Sequence, residues 1–204
     1  MAARDCWTAF DATWGDGGFW REGLPPGLRL ATNNLKSDAP TDHHRDFTAT
    51  GFPHGAFDVV FFDPPHVADG GENGIMAAKY GTVKTTSALY ALIVDGAREC
   101  SRIARRVLVV KVTNHSHGGE WLDQAGWVVD GLMEGVARPM VLYCTLHTIK
   151  EAPLIDRKWV VQRAPKVNGA QYLVFRHESD RDKQDGHKHR DFARLYARQQ
   201  ERGA

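Results

Sequence analysis

Residues 57 to 62 read Phe-Asp-Val-Val-Phe-Phe, and the run halts on Asp63-Pro64-Pro65. A short segment that is apolar except at Asp58, and rich in Val and Phe, suits a strand covered on both faces, as in a parallel sheet. Proline has a fixed φ and no N–H, so two in succession end the ladder and leave the acid rigid at the strand's carboxyl end. Open α/β sheets bind their ligands at that edge. This one feature predicts an α/β fold and marks a candidate site on it.

The remaining segments agree with that prediction. Further strands are expected over 6–12, 28–32 and 107–112. A helix is expected over 86–105, where Leu89, Leu92, Ile93, Ala97 and Cys100 recur at helical spacing. After a polar loop over 113–119, a short helix is expected around 121–125. Extended segments over 142–149 and 171–176 follow, with Pro153 and Pro165 between them and no helical pattern. Alternating strands and helices, then two strands in succession, imply a mostly parallel sheet ending in an antiparallel pair.

Size and composition narrow the class. The 204 residues, 42% of them hydrophobic, suffice for one core. No apolar run is long enough for a membrane span, and the start lacks the apolar stretch of a secretory signal. Cys6, Cys100 and Cys144 lie far apart, as expected of reduced thiols in a cytoplasmic protein. The pairs His43-His44, His115 with His117, and His187 with His189 offer no converging ligand spacing, so no metal is expected. A net charge of +1 neither favours nor excludes a nucleic-acid partner.

The Asp-Pro-Pro residues suit a particular chemistry. The exocyclic amine of a base is a poor nucleophile because its lone pair is delocalised into the ring. A carboxylate and a fixed backbone carbonyl that accept its two N–H bonds favour tetrahedral geometry and localise that pair. A ring in the fourth position would stack on an extruded base. A second motif runs from Phe10 to Trp20, FDATWGDGGFW: an acid, then a glycine-dense turn after the first strand. Alone it is weak evidence, and a nicotinamide-binding loop remains open at that point. No clean G-x-G-x-x-G is present, however, and a dinucleotide site gives no reason for Asp-Pro-Pro.

Together the two motifs resemble those of the amino-methyltransferases that use S-adenosylmethionine, whose catalytic signature is (D/N/S)PP(Y/F/W). The resemblance covers residues 6 to 177. It is nearest to the DNA adenine-N6 enzymes, with His66 standing where an aromatic residue is usual. It implies a Rossmann-like, doubly wound sheet of about seven strands with a reversed final strand. The domain would span 1–177, followed by a charged tail over 178–204. S-adenosylmethionine would be the cofactor, held by Asp11, Thr13, Gly15 and Gly17. Asp46 and Phe47, at the end of a third strand, would receive the adenine. The second strand should end in an acid for the ribose, where this chain has Asn33-Asn34 and then Asp38, so Asn34 is either a ribose ligand or a turn residue.

Asp63, Pro64, Pro65 and His66 would form the catalytic motif, with His66 or Tyr80 stacking on the base. Lys79 and Tyr80, in the glycine-rich loop over 66–84, and Lys111, in RRVLVVKVTN, would contact the nucleic acid, Lys111 being at least equally a structural lysine. The expected product is N6-methyladenine in DNA. RNA remains open, cytosine N4 is disfavoured because Ser usually leads that motif, and an inactive cofactor-binding partner subunit is the rival reading. Arg190, Arg194, Arg198 and Arg202 recur every four residues, as a phosphate grip or a solvated helix face.

Overall fold

The computed structural model describes residues 6–68, 83–117, 119–133, 140–148 and 169–177. In chain order the elements are β1 (Trp7–Asp11), β2 (Leu28–Thr32), β3 (Phe57–Phe62), α1 (Thr86–Ile103), β4 (Ala104–Val112), β5 (His115–His117), β6 (Glu120–Leu122), α2 (Gln124–Met133), β7 (Met140–His147) and β8 (Gln171–His177). Six strands form one sheet in the order β2-β1-β3-β4-β8-β7, while β5 and β6 pair separately. The first four run parallel, and β8 is antiparallel to both its neighbours.

Burial alternates along the strands as a layered fold requires. Val60 and Phe62 of β3, Leu108, Val110 and Val112 of β4, and Leu173 and Phe175 of β8 join one core with Leu89, Ile93 and Cys100 of α1 and Val128 and Leu132 of α2. Both helices therefore cover one face of the sheet. Gly96 permits the close approach of α1: a Cβ there would collide with the Phe62 ring and sit 2.8 Å from Phe47 Cδ2. The Thr85 hydroxyl caps the helix start, accepting from Ala88 N at 3.1 Å.

Several sequence expectations need correction. The helix ends at Ile103 and not 105, and Ala104 turns directly into β4 with extended backbone. Arg105 and Arg106 are drawn onto the strand because their guanidinium groups meet buried Asp58, at 2.7 and 3.4 Å. The loop over 113–119 contributes β5, and the helix expected around 121–125 begins only at Gln124, with Trp121 on β6.

The sheet has six strands among the described residues, and Asp46 and Phe47 lie in a loop and not on a third strand. What remains at that place is one parallel bridge, Asn33 to His43. Parallel strands need a crossover of a dozen or more residues, usually helical, and the chain between Thr32 and His43 is too short for one. The double winding is likewise incomplete among the described residues: β1 and β2 are joined through a single 3-10 turn, Gly18–Trp20, on the face away from α1 and α2. The glycine-dense stretch before it and Pro25-Pro26 after it leave no room for a longer helix. Residues 178–204, with the arginine series, lie outside the described residues.

Candidate active site

Strand β1 lies between β2 and β3, so the chain order reverses direction between β1 and β3. The carboxyl ends of these two strands flank the crevice where open α/β sheets bind ligands. Register brings the acids of both motifs to it. Asp11 pairs with Phe61, so Asp63 lies two residues beyond its level. Phe62 pairs with Val110, which sets Asp63 level with Lys111. By strand alternation Asp11, Asp63 and Lys111 project to the face opposite the helices.

Asp11 is only 1% exposed. Its carboxylate accepts from Thr13 N at 3.0 Å and from the Trp20 indole N–H at 2.8 Å. Burial pushes its pKa up to about 6, the two hydrogen bonds oppose that rise, and the neighbouring Asp63 charge adds to it. Trp20 is held in turn by an edge contact to Phe61, 4.8 Å between ring centres, with Phe19 beside it against Tyr172. Gly17, at φ 70°, makes the loop possible: a Cβ on it would lie 2.9 Å from the Trp14 ring.

Asp63 is held on three sides. Its N–H donates to Thr13 Oγ1 at 2.6 Å. Its Oδ1 meets His66 Nε2 at 2.9 Å and its Oδ2 meets Lys111 Nζ at 2.6 Å. Burial alone would raise its pKa, but the His66 and Lys111 contacts outweigh it and hold the carboxyl below its ordinary value. A carboxylate has about four acceptor sites, so the contacts among the described residues leave each oxygen one for an incoming N–H.

The expected cofactor residues divide. Asp11, Thr13, Gly15 and Gly17 gather at the end of β1, but Asn34, Asp46 and Phe47 are engaged locally. Asn34 Oδ1 accepts from Lys36 N at 3.0 Å, and Asp46 Oδ1 accepts from Thr48 N at 2.8 Å and Thr48 Oγ1 at 2.7 Å. Phe47 packs on the Phe62 ring, 5.2 Å between centres, within the helical layer. Lys79 and Tyr80 lie outside the described residues. Among the described residues no group of His, Cys, Asp and Glu is arranged to hold a metal ion, and no helix is long and apolar enough to cross a membrane.

Four residues were missed in the sequence. Trp20 lay inside the quoted loop without a role. Asn33, not Asn34, is the buried member of its pair, bonding the Ala12 and Arg45 carbonyls at 3.0 and 2.9 Å. Asp42 is the acid brought to the end of β2, accepting from Thr32 N and Oγ1 at 2.8 and 2.9 Å. Gln124 is fully buried behind His66. The double-Asn at a strand end was a visible signal; nothing local marks the other three.

No protein-family model and no curated protein matches this sequence. Among solved structures, a SAM-dependent methyltransferase from Methanosarcina mazei superposes with a TM-score of 0.50 at 9% identity, over 84% of this chain and 92% of that one. The magnesium protoporphyrin IX methyltransferase of Synechocystis, solved with bound SAM, gives 0.45 at 13% identity, over 86% and 72%. The PvuII cytosine-N4-specific DNA methyltransferase gives 0.43 at 15% identity, over 66% of this chain and 47% of its own length. At these identities the likeness is one of fold, that of a Rossmann-like methyltransferase sheet.

Proposed function

We propose that this chain transfers a methyl group from S-adenosylmethionine to an exocyclic base amine, with adenine N6 in DNA as the preferred target. The observation that carries the reading is the coupling of two motifs through Thr13. An ionised Asp63, with free acceptor capacity, is tied to the loop expected to hold the cofactor.

The residues at the end of β1 suit such a cofactor. Among the described residues no cation touches the buried Asp11 carboxylate, on which Lys111 acts only from a distance, and a ligand ammonium would supply a direct contact. Gly15 and Gly17, both at positive φ, keep side chains away from the loop backbone. The ribose and adenine ligands have no such support, since Asn34 and Asp46 serve local turns.

The bound cofactor supplies an electrophilic methyl carbon on a sulfonium. The residues act on its acceptor. Asp63 accepts one amine N–H and the Pro64 carbonyl the other, which localises the nitrogen lone pair for attack. Asp63 is too acidic to keep the proton that the nitrogen sheds, so that proton passes to water. His66 or Tyr80 stacks on the base. Lys111 keeps Asp63 ionised and so acts on the substrate through it, nearer to the structural lysine than to the strand contact, the two alternatives the sequence left open.

The test is incubation with S-adenosylmethionine and unmodified DNA or RNA, then nucleoside digestion and mass spectrometry. N6-methyladenine in the DNA arm alone is the expected result. Methyl in RNA or on cytosine would keep the mechanism and replace the substrate. A second reading, a cofactor-binding partner subunit without turnover, is favoured by one observation: side chains of the protein, His66 and Lys111, already contact both Asp63 oxygens. Cofactor binding with no methyl in any arm would select it.

A further inference from the structure

Gln124, the first residue of α2, is 0% exposed, and its polar atoms all turn toward the catalytic loop. Its Nε2 donates to the His66 carbonyl at 2.6 Å. Its Oε1 accepts from Thr113 N at 3.3 Å and faces His66 Nδ1 at 3.3 Å. These partners determine which way the amide points. Turned over, it would set Oε1 against the His66 carbonyl oxygen and Nε2 against the Thr113 N–H.

With the amide so oriented, His66 Nδ1 faces an acceptor. Its Nε2 faces another, Asp63 Oδ1, at 2.9 Å. Both contacts are hydrogen bonds only when both ring nitrogens carry hydrogen. Bonds at the two ring edges lie in the ring plane, so they fix that plane and the direction from which Asp63 Oδ1 is approached.

We infer that Gln124 is the positioning residue of this site, clamping the His66 backbone and ring so that His66 in turn orients the Asp63 carboxylate. The clamp explains how histidine serves where related motifs carry a larger aromatic ring. Imidazole offers less stacking area, but both its edges can be anchored. It also gives α2 a part in the site that neither motif announces. The clamp rests on geometry alone; its effect on turnover rests on the methyltransferase reading.

The test uses Gln124→Met and Gln124→Glu in the full chain with 15N-labelled histidine. The wild type should show a slowly exchanging Nδ1–H signal assigned to His66 by its loss in His66→Asn. Gln124→Met, similar in shape but without the acceptor, should lose that signal. Gln124→Glu, which as the neutral acid keeps an O–H donor for the His66 carbonyl beside its acceptor oxygen, should retain it at mildly acidic pH. In turnover, Gln124→Met should lower kcat by about tenfold to a hundredfold with the KM for S-adenosylmethionine unchanged, a split that general destabilisation would not produce.

A signal that survives in Gln124→Met, or an unchanged kcat, overturns the proposal. Should Gln124→Met fail to fold, loss of the signal in Gln124→Glu at a pH where the introduced carboxyl is neutral overturns it instead. The nitrogen signal needs no substrate. A wild type that methylates nothing would therefore defeat the proposed function while the clamp is still read.

Discussion

The main-chain N–H of Asp63 donates to the Thr13 hydroxyl at 2.6 Å, and Thr13 N–H donates to Asp11 at 3.0 Å. One threonine thus joins the acid that ends β1 to the acid that follows β3. The two motifs are joined through one side chain, and a change in the glycine loop has a direct hydrogen-bonded route to the Asp63 backbone.

Replacing Thr13 with Val should leave the Asp63 N–H without a partner. The bond is partly buried, so its loss should cost about 0.5–1.5 kcal/mol, and Thr13→Ser should recover most of it. Thermal denaturation of the two variants compares them directly. Equal melting temperatures for Val and Ser would show that the bond contributes nothing.

Asp63→Asn keeps the shape and loses the charge. The expected outcome is a fall in kcat of about 10²–10³-fold, the usual cost of losing one preorganised electrostatic contact to the reacting group. Calorimetric cofactor affinity should stay within about twofold, because on the proposed function Asp63 faces the acceptor amine and not the cofactor. A matching loss of affinity would place Asp63 in the cofactor site instead.

Asp11 carries a pH signature. Its folded pKa is about 6 against an ordinary 3.8, so the native state binds its proton more tightly than the unfolded chain. Its contribution to stability is greatest below the ordinary value, declines as pH rises toward 6 and is level above it. The difference amounts to about 3 kcal/mol, at roughly 1.4 kcal/mol per unit. Urea denaturation at pH 4.5 and pH 8 should show this decline in the wild type and not in Asp11→Asn. A cationic cofactor group favours the ionised acid, so cofactor affinity should strengthen as pH rises through 6.

Lys111 holds the Asp63 carboxyl below its ordinary value together with His66. A depressed carboxyl contributes stability above the unfolded value and loses it as pH falls through the folded one. Lys111→Met should therefore move the acidic limb of kcat/KM to higher pH and weaken resistance to acid. An unmoved limb would mean that His66 alone sets the acidity of Asp63.

Gly96→Ala should cost about 1–3 kcal/mol, as overpacking a filled core usually does. The new methyl meets the Phe62 ring and lies 2.8 Å from Phe47. The readout is a drop in melting temperature. A neutral result would show that α1 can move away from the sheet.

Much of the site was legible wherever a short run of residues carries its own geometry. The 28–32 and 57–62 strands match the structure end to end because apolar patterning and flanking Pro and Gly set their limits locally. The third strand was not legible. Asp46-Phe47 resembles a strand end, but a strand needs a paired neighbour and a crossover long enough to reach it, and Phe47 is taken into the core beside Gly96 instead. Asn34 was favoured over Asn33 for a similar reason: strand alternation decides which of two adjacent side chains turns inward.

By itself the sequence determined that a buried strand ends in a rigid acid and that a glycine loop follows another acid, since proline, glycine and apolar spacing act over a few residues. Only the tertiary structure decided what those acids meet. Lys111 reaches Asp63 through the register of β3 on β4, and Gln124 reaches His66 through the packing of α2 behind the loop. Such contacts depend on how distant segments align, and no local pattern encodes that alignment.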